Sequence, residues 1–242
     1  DPGGWISTFC HEPELNQMKP NINSFFIFAL LLAVFILPAN SLEIGNEFKL
    51  TAEDGAEHDH FGYSVSISGE TAIVGSYHDD DNGSSSGSAY VFVRSGTQWT
   101  ETAKLLAADG GEGDLFGLSL SIWEQTVVVG AYGHSPNQLT AAGAAYVFVD
   151  NGTQWIQQGK LTALDAAELD RFGISVSIFG HTAVVGSLDG PDKGVDSGSA
   201  YIFVRNGSQW VQQAKLIASD RQEVDRFGQS VSLSGETAII GA

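Results

Sequence analysis

Residues 170–187 read Asp-Arg-Phe-Gly-Ile-Ser-Val-Ser-Ile-Phe-Gly-His-Thr-Ala-Val-Val-Gly-Ser. The phrase Phe-Gly-x-Ser-x-Ser inside this stretch occurs four times, starting at Phe61, Phe116, Phe172 and Phe227, with spacings of 55, 56 and 55 residues. A self-similar unit of that length marks stacked supersecondary units. Other phrases keep step with it. A Val-Gly-Ser or Val-Gly-Ala phrase ends at Ser76, Ala131 and Ser187, with Ile-Gly-Ala at Ala242. Ala-Tyr-Val-Phe-Val recurs at 89–93, 145–149 and, with Ile202, at 200–204. Gln-Trp recurs at 98–99, 154–155 and 209–210, and Lys-Leu at 104–105, 160–161 and 215–216.

Alternation within a unit has period 2, so the elements are strands. Tyr63, Val65 and Ile67 point one way while Ser64, Ser66 and Ser68 point the other, and the serine face is thin enough for a neighbouring sheet to pack closely. The next segment, Thr71–Gly75 and its copies, is apolar on both faces and reads as a central, doubly covered strand. The third runs from Ala89 to Arg94. The fourth starts at Trp99 and is expected to hold Trp99, Ala103 and Leu105 on one face. Ser68-Gly69, Ser234-Gly235, Asn151-Gly152 and Asn206-Gly207 supply tight turns. Each unit is therefore a four-stranded antiparallel meander. Such sheets arranged radially make a β-propeller; a β-solenoid is the competing architecture, but its coils are shorter. The fold class is all-β, with about three and a half repeats of an incomplete ring. The units fall at 61–115, 116–171, 172–226 and, in part, 227–242, inside a repeat region of 42–242. The four repeat phenylalanines are expected to be buried at equivalent positions.

Ahead of the repeats, Met18 and Lys19 precede an apolar run from Phe25 to Leu37 and then Pro38-Ala39-Asn40-Ser41, the layout of a secretory signal peptide over 18–41. The run is short for a membrane anchor. Residues 1–17 read as an upstream segment. The single cysteine, Cys10, lies there, so disulfides cannot stabilise the repeats. The formal net charge is −18, from 29 acids and 11 bases. Such a balance argues against nucleic acid or an anionic membrane as a partner.

A second phrase, Asp-x-x-Glu-x-Asp, stands just before each Phe-Gly. Its members are Asp54, Glu57 and Asp59; Asp109, Glu112 and Asp114; Asp165, Glu168 and Asp170; and Asp220, Glu223 and Asp225. Three carboxylates on one loop are hard oxygen ligands, which makes these twelve residues candidate cation ligands. The competing reading is turn chemistry, in which the acids accept hydrogen bonds from loop N–H groups. Successive turns of a meander alternate between sheet ends, so this loop and the loop between the second and third strands share one end. That second loop differs between units, carrying Asp79, Asp80 and Asp81 in the first, His134 in the second, and Asp189, Asp192 and Asp196 in the third. Varying loops on a rigid scaffold are where recognition concentrates, and these seven residues are the candidate ligand-binding set. Asn82, Asn151 and Asn206 open Asn-x-Ser/Thr sequons and are candidate glycan acceptors. His58 and His60 flank Asp59 without a repeated counterpart, and His78, His134 and His181 stand isolated in sequence. No catalytic motif and no cofactor is expected.

Read whole, the 170–187 stretch resembles an FG-GAP repeat, the blade unit of the integrin α-subunit propeller. Phe172-Gly173 corresponds to the FG element, and Val185-Gly186-Ser187 stands where the GAP element would be. The integrin calcium loop between these elements is replaced by short links such as Phe179-Gly180-His181, too few oxygen ligands for calcium. The resemblance implies a secreted or cell-surface binding or adhesion module that meets a protein or glycan at its loop face. The sequons make it a candidate glycoprotein, the lack of a catalytic motif argues against an enzyme, the short apolar run against membrane insertion after signal cleavage, and the need of a propeller for at least four blades calls for further blades from a longer chain or a partner. A matrix spacer, or an accessory domain of a secreted hydrolase, are the alternatives.

Overall fold

The structure, a computed structural model, describes residues 47–188, 197–220 and 222–242. The signal-peptide and upstream assignments over 1–41 lie outside them.

The first sheet has the order β1 (Val65–Ser68), β2 (Thr71–Ser76), β3 (Ser88–Ser95), β4 (Gln98–Leu105). The second is β5 (Ser119–Trp123), β6 (Thr126–Ala131), β7 (Ala144–Asp150), β8 (Trp155–Leu161). The third is β9 (Ser175–Phe179), β10 (Thr182–Ser187), β11 (Ser199–Asn206), β12 (Gln209–Leu216). Two further strands, β13 (Ser230–Ser234) and β14 (Thr237–Gly241), pair as the start of a fourth. All neighbours within a sheet are antiparallel. Each sheet is a blade, and the inner strands follow one another, β1 against β5, β5 against β9 and β9 against β13. Among the described residues this is a β-propeller of three whole blades and part of a fourth, with no closed sheet.

The joints between blades explain the repeated phrase. Ser64, Ser119 and Ser175 donate their hydroxyls to the carbonyls of Gly117, Gly173 and Gly228 in the next blade, at 2.6, 2.8 and 2.7 Å. Ser66, Ser121 and Ser177 accept from the backbone N–H of Ile122, Ile178 and Leu233. The serines of Phe-Gly-x-Ser-x-Ser are thus connectors as well as thin packing residues. The glycine of Val-Gly-Ser/Ala is fixed by the same approach. A Cβ on Gly75, Gly130 or Gly186 would stand 2.0, 2.0 or 1.9 Å from the glycine carbonyl of the next blade, where no side chain fits.

The core lies between blades. Ile73, Ala89, Val91 and Leu105 of the first blade pack on Phe116, Leu120, Ile122, Val129, Tyr146 and Phe148 of the second. The second packs on the third in the same way through Val128, Val147 and Leu161 against Phe172, Val176, Ile178, Val185 and Phe203. The middle strands β2, β6 and β10 are buried almost throughout, as their two-faced apolar sequence requires. Phe116 and Phe172 are fully buried. Phe61 and Phe227 are only half-buried, against expectation: Phe61 lies on the side of the first blade away from the second, and Phe227 belongs to a two-stranded sheet without the third-strand rings that cover Phe116 and Phe172.

One strand-face assignment is overturned. A β-bulge shifts the register of β4 so that Val91 pairs with Ala103 but Phe92 pairs with Glu101; β8 carries the same shift. An extra residue reverses which side the following side chains face. Trp99 therefore does not share a face with Ala103 and Leu105. The second blade shows the consequence, with Trp155 packed towards the first blade and Leu161 towards the third.

Candidate functional site

Each acidic phrase divides its three carboxylates among three tasks. The last of them, Asp59, Asp114 and Asp170, is buried and closes its own turn. Its Oδ2 accepts the N–H of Ala56, Gly111 or Ala167, at 2.6, 2.9 and 2.7 Å. Asp225 does the same for Gln222 at 2.7 Å. The residues on either side of this aspartate are left-handed in every unit, with φ of 77° and 57° at His58 and His60 and 64° and 52° at Leu169 and Arg171. That backbone is unfavourable for such residues, and the aspartate's internal bonds hold it. Glu57, Glu112, Glu168 and Glu223 are exposed, as is Asp220.

The first acid reaches elsewhere. Asp54 accepts the Lys104 ammonium at 2.7 Å and the Tyr90 hydroxyl at 2.8 Å. Asp109 stands in the same relation to Lys160 and Tyr146, at 2.8 and 2.9 Å. Asp165 pairs with Lys215 and Tyr201, at 2.8 and 3.0 Å. An Asp–Tyr–Lys cluster thus recurs at one end of each whole blade, built from the acidic turn and the two outer strands. The ammonium also lies over the tyrosine ring, 5.1 to 5.7 Å from its centroid.

The loop between the second and third strands completes the cluster, and here the blades part. In the first blade Asp79 and Asp81 also grip Lys104, at 2.9 and 2.7 Å, and Asp79 takes a second contact from Tyr90. Partial burial works against the ammonium. The bonds from Asp54, Asp81, Asp79 and Tyr90 outweigh it and hold Lys104 above the ordinary lysine range. Burial likewise opposes ionisation of Asp54, yet its bonds to Lys104 and Tyr90 hold it below the usual carboxylate value. Asp80 stays out of the cluster and closes the loop by accepting the N–H of Ser85 at 2.6 Å.

In the second blade His134 occupies the place of Asp79. It is not isolated: its Nδ1 lies 2.7 Å from the buried Asp114 and its Nε2 2.6 Å from Lys160 Nζ. An ammonium only donates, so Nε2 accepts from Lys160 and the Nδ1–H donates to Asp114. The result is a chain from Asp114 through His134 and Lys160 to Asp109. Burial opposes ionisation of Asp109, but Lys160 and Tyr146 hold its pKa down. Burial, reinforced by Asp109, raises that of Tyr146. Beside the chain opens a cavity of about 450 Å³ lined by Asp109, His134, Ser135, Asn137, Lys160 and Thr162. A short 3-10 turn, Pro136–Gln138, forms its rim.

Of the expected ligand-binding set, the structure brings Asp79 and Asp81 together in the first blade and places His134 in the second. Asp189, Asp192 and Asp196 lie outside the described residues. Among the described residues, no three His, Cys, Asp or Glu side chains gather as a metal-ligand set; the first blade's carboxylates converge on a lysine instead. Asn151 uses its side-chain oxygen within its own turn, accepting from Thr153 and Gln154. Asn206 ends β11 and Asn82 is exposed in the β2–β3 loop. Reasoning from the sequence missed the tyrosines and lysines. Their repetition in the Ala-Tyr and Lys-Leu phrases was the signal, since neither residue type is needed for a strand.

Among the described residues no helix is long and apolar enough to cross a membrane. No curated protein matches the chain. Among solved structures, the crystal structure of Saccharomyces cerevisiae Sqt1 aligns with a TM-score of 0.44 at 11% identity, over 69% of this chain and 38% of that one. The FG-GAP repeat profile matches four successive segments, residues 44–92, 99–148, 155–203 and 210–242. With that profile covering most of its length in four copies, the chain belongs to the FG-GAP repeat family.

Proposed function

We propose that this propeller is a non-catalytic, extracellular binding module whose protein or glycan ligand meets the end that carries the lysine clusters. One observation carries the reading. The Asp–Tyr–Lys frame is the same in each whole blade, while the loop that completes it changes from Asp79 and Asp81 to His134. Constant framework with variable loops is the arrangement expected of a recognition surface, and fold alone would not supply that inference. The cavity beside Lys160 offers donors and acceptors together, which suits a polar ligand.

Binding of the labelled chain to intact cells and to extracellular matrix tests this. Substitutions Asp81→Ala and Asn137→Ala at the loop end should abolish retention, and Thr153→Ala in the opposite turn should leave it intact. Equal loss from both ends, or no retention by any surface, would overturn the proposal.

A further inference from the structure

The cavity at the loop end of the second blade has a fixed back wall and a rim pinned from within. The wall is the chain from Asp114 through His134 and Lys160 to Asp109, in which Asp114 and His134 are only 5% and 8% exposed. At the rim, Ser135 Oγ accepts the Ala141 N–H at 3.1 Å, and the His134 carbonyl accepts the Gly143 N–H at 2.8 Å. The rim also carries strain that the fold does not require. Asn137 and Gln138 are consecutive left-handed residues, with φ of 53° and 68°, a costly backbone for residues with a side chain. In the corresponding first-blade loop, 77–87, Ser85 is the only non-glycine residue of that kind. There Asp79 and Asp81 close on Lys104 instead. Strained backbone held in an ordered turn concentrates where ligands bind.

The charges select the ligand. Two carboxylates, Asp109 and Asp114, stand against one ammonium and a neutral imidazole, on a chain of formal charge −18. An anion is therefore repelled. A cation would meet the Lys160 ammonium in the wall. A hydroxyl suits both groups, since it donates to a carboxylate and accepts from an ammonium or amide. Asp109 and Lys160 adjoin at 2.8 Å, and Ser135, Asn137 and Thr162 add hydroxyls and an amide around them. Adjacent hydroxyls of one ligand can meet this pair together. The volume of about 450 Å³ falls within the usual span of small-ligand sites, about 300–1,000 Å³, and leaves room for a mono- or disaccharide.

We infer that the second-blade cavity binds a neutral saccharide, with adjacent hydroxyls bridging Asp109 and Lys160 and others meeting Asn137 and Thr162. The inference rests on the reading of the loop end as a recognition surface, and it names the ligand class and the blade that takes it.

An array of neutral hexose and N-acetylhexosamine oligosaccharides, beside sialylated, uronate-containing and sulfated ones, tests it, with titration calorimetry of the full chain on the strongest binder. The chain should hold a neutral saccharide and discriminate against the acidic ones. Thr162→Val removes a hydroxyl and keeps the shape. Asn137→Asp removes the amide donor and keeps a residue that tolerates the left-handed turn. Each should weaken binding about tenfold, the effect of losing a hydrogen bond, with circular dichroism unchanged. Asp81→Ala, in the first blade, should leave saccharide affinity unchanged. A chain retained on cells or matrix that binds no neutral saccharide would overturn this inference and leave the recognition surface standing, whereas failure on every surface and on the array would overturn both. Preference for acidic saccharides, equal loss from Asp81→Ala, or full affinity in Thr162→Val and Asn137→Asp would each overturn the inference alone.

Discussion

The joints between blades and the lysine clusters at the loop end are made from the same repeated unit, yet only the joints are copied without change. Ser64, Ser119 and Ser175 reach equivalent glycine carbonyls within 0.2 Å of one another in length. Lys104 and Lys160 also occupy equivalent places, but one is gripped by three carboxylates and the other by a carboxylate and an imidazole. Every joint meets the same neighbour, another blade, so its chemistry is fixed by the fold. The loop end also meets the next blade, but through backbone bonds such as those of the Gly113 and Leu115 N–H to the Ser84 and Ser85 carbonyls, which leave its side chains free to differ.

The largest effect should come from emptying a joint. Phe116 is fully buried, edge to face with Tyr146 and Phe148. Phe116→Ala should cost about 3–5 kcal/mol, read as a shift in denaturant midpoint. Phe61 makes the same ring contacts with Tyr90 and Phe92 but is half-buried, so Phe61→Ala should cost clearly less. Equal losses would mean that the outer face of the first blade is as well packed as an internal joint.

Gly130→Ala attacks the same joint from its other side. The added methyl would meet the Gly173 carbonyl and the Ser119 hydroxyl, at 2.0 and 2.3 Å. Both are held by the hydrogen bond they share, so neither yields cheaply. Overpacking of this kind typically costs about 1–3 kcal/mol. A thermal scan showing no loss would break the claim that the glycine serves blade approach.

The lysine clusters should respond to the same substitution in opposite degrees. Lys104→Met leaves Asp54, Asp79 and Asp81 facing one another, with the Asp79 side chain 5% exposed. The open positions of Asp54 and Asp81 moderate the repulsion, and a loss of about 2 kcal/mol is expected. Lys160→Met leaves Asp109 beside His134, whose Nδ1 already donates to Asp114, instead of three carboxylates facing one another, and should cost less.

The sequence made the joints readable and left the clusters obscure for a physical reason. Strands announce themselves by period 2 and turns by Asn-Gly or Ser-Gly, signals that span only a few residues. The unit spacing then orders the blades. Lys104 and Asp54, by contrast, stand 50 residues apart on different elements, and no local pattern connects them. His134 was harder still, because its partners Asp114 and Lys160 come from a turn behind it and a strand ahead. The bulge that sends Trp99 to the other face leaves no trace in the hydrophobic pattern, since Trp99, Ala103 and Leu105 keep even spacing through it.

The smallest effect, and the one that most directly separates clusters from joints, is pH dependence. Joints are made of apolar side chains, serines and backbone groups, which do not titrate. The clusters do. In the folded protein Lys104 and Tyr90 hold Asp54 below the carboxylate reference value of 3.8, against the opposing effect of burial. A lowered folded value means that the unfolded chain takes up its proton first as pH falls. The stabilisation from Asp54 is therefore present above about pH 4 and is lost as pH drops through the lowered folded value. Lys104 has the opposite sign: with its folded value raised, its contribution is present below about pH 10 and is lost as pH rises through that value. Asp54→Asn should therefore lower stability modestly at pH 7, by less than about 1 kcal/mol given its exposure, read as a small drop in melting temperature. The difference from wild type should close as pH approaches 3. Gly130→Ala should show a deficit that does not change over the same range. A pH-independent deficit in Asp54→Asn would assign Asp54 a shape role like that of the joints, and the division between constant joint and ionic loop end would fail at that residue.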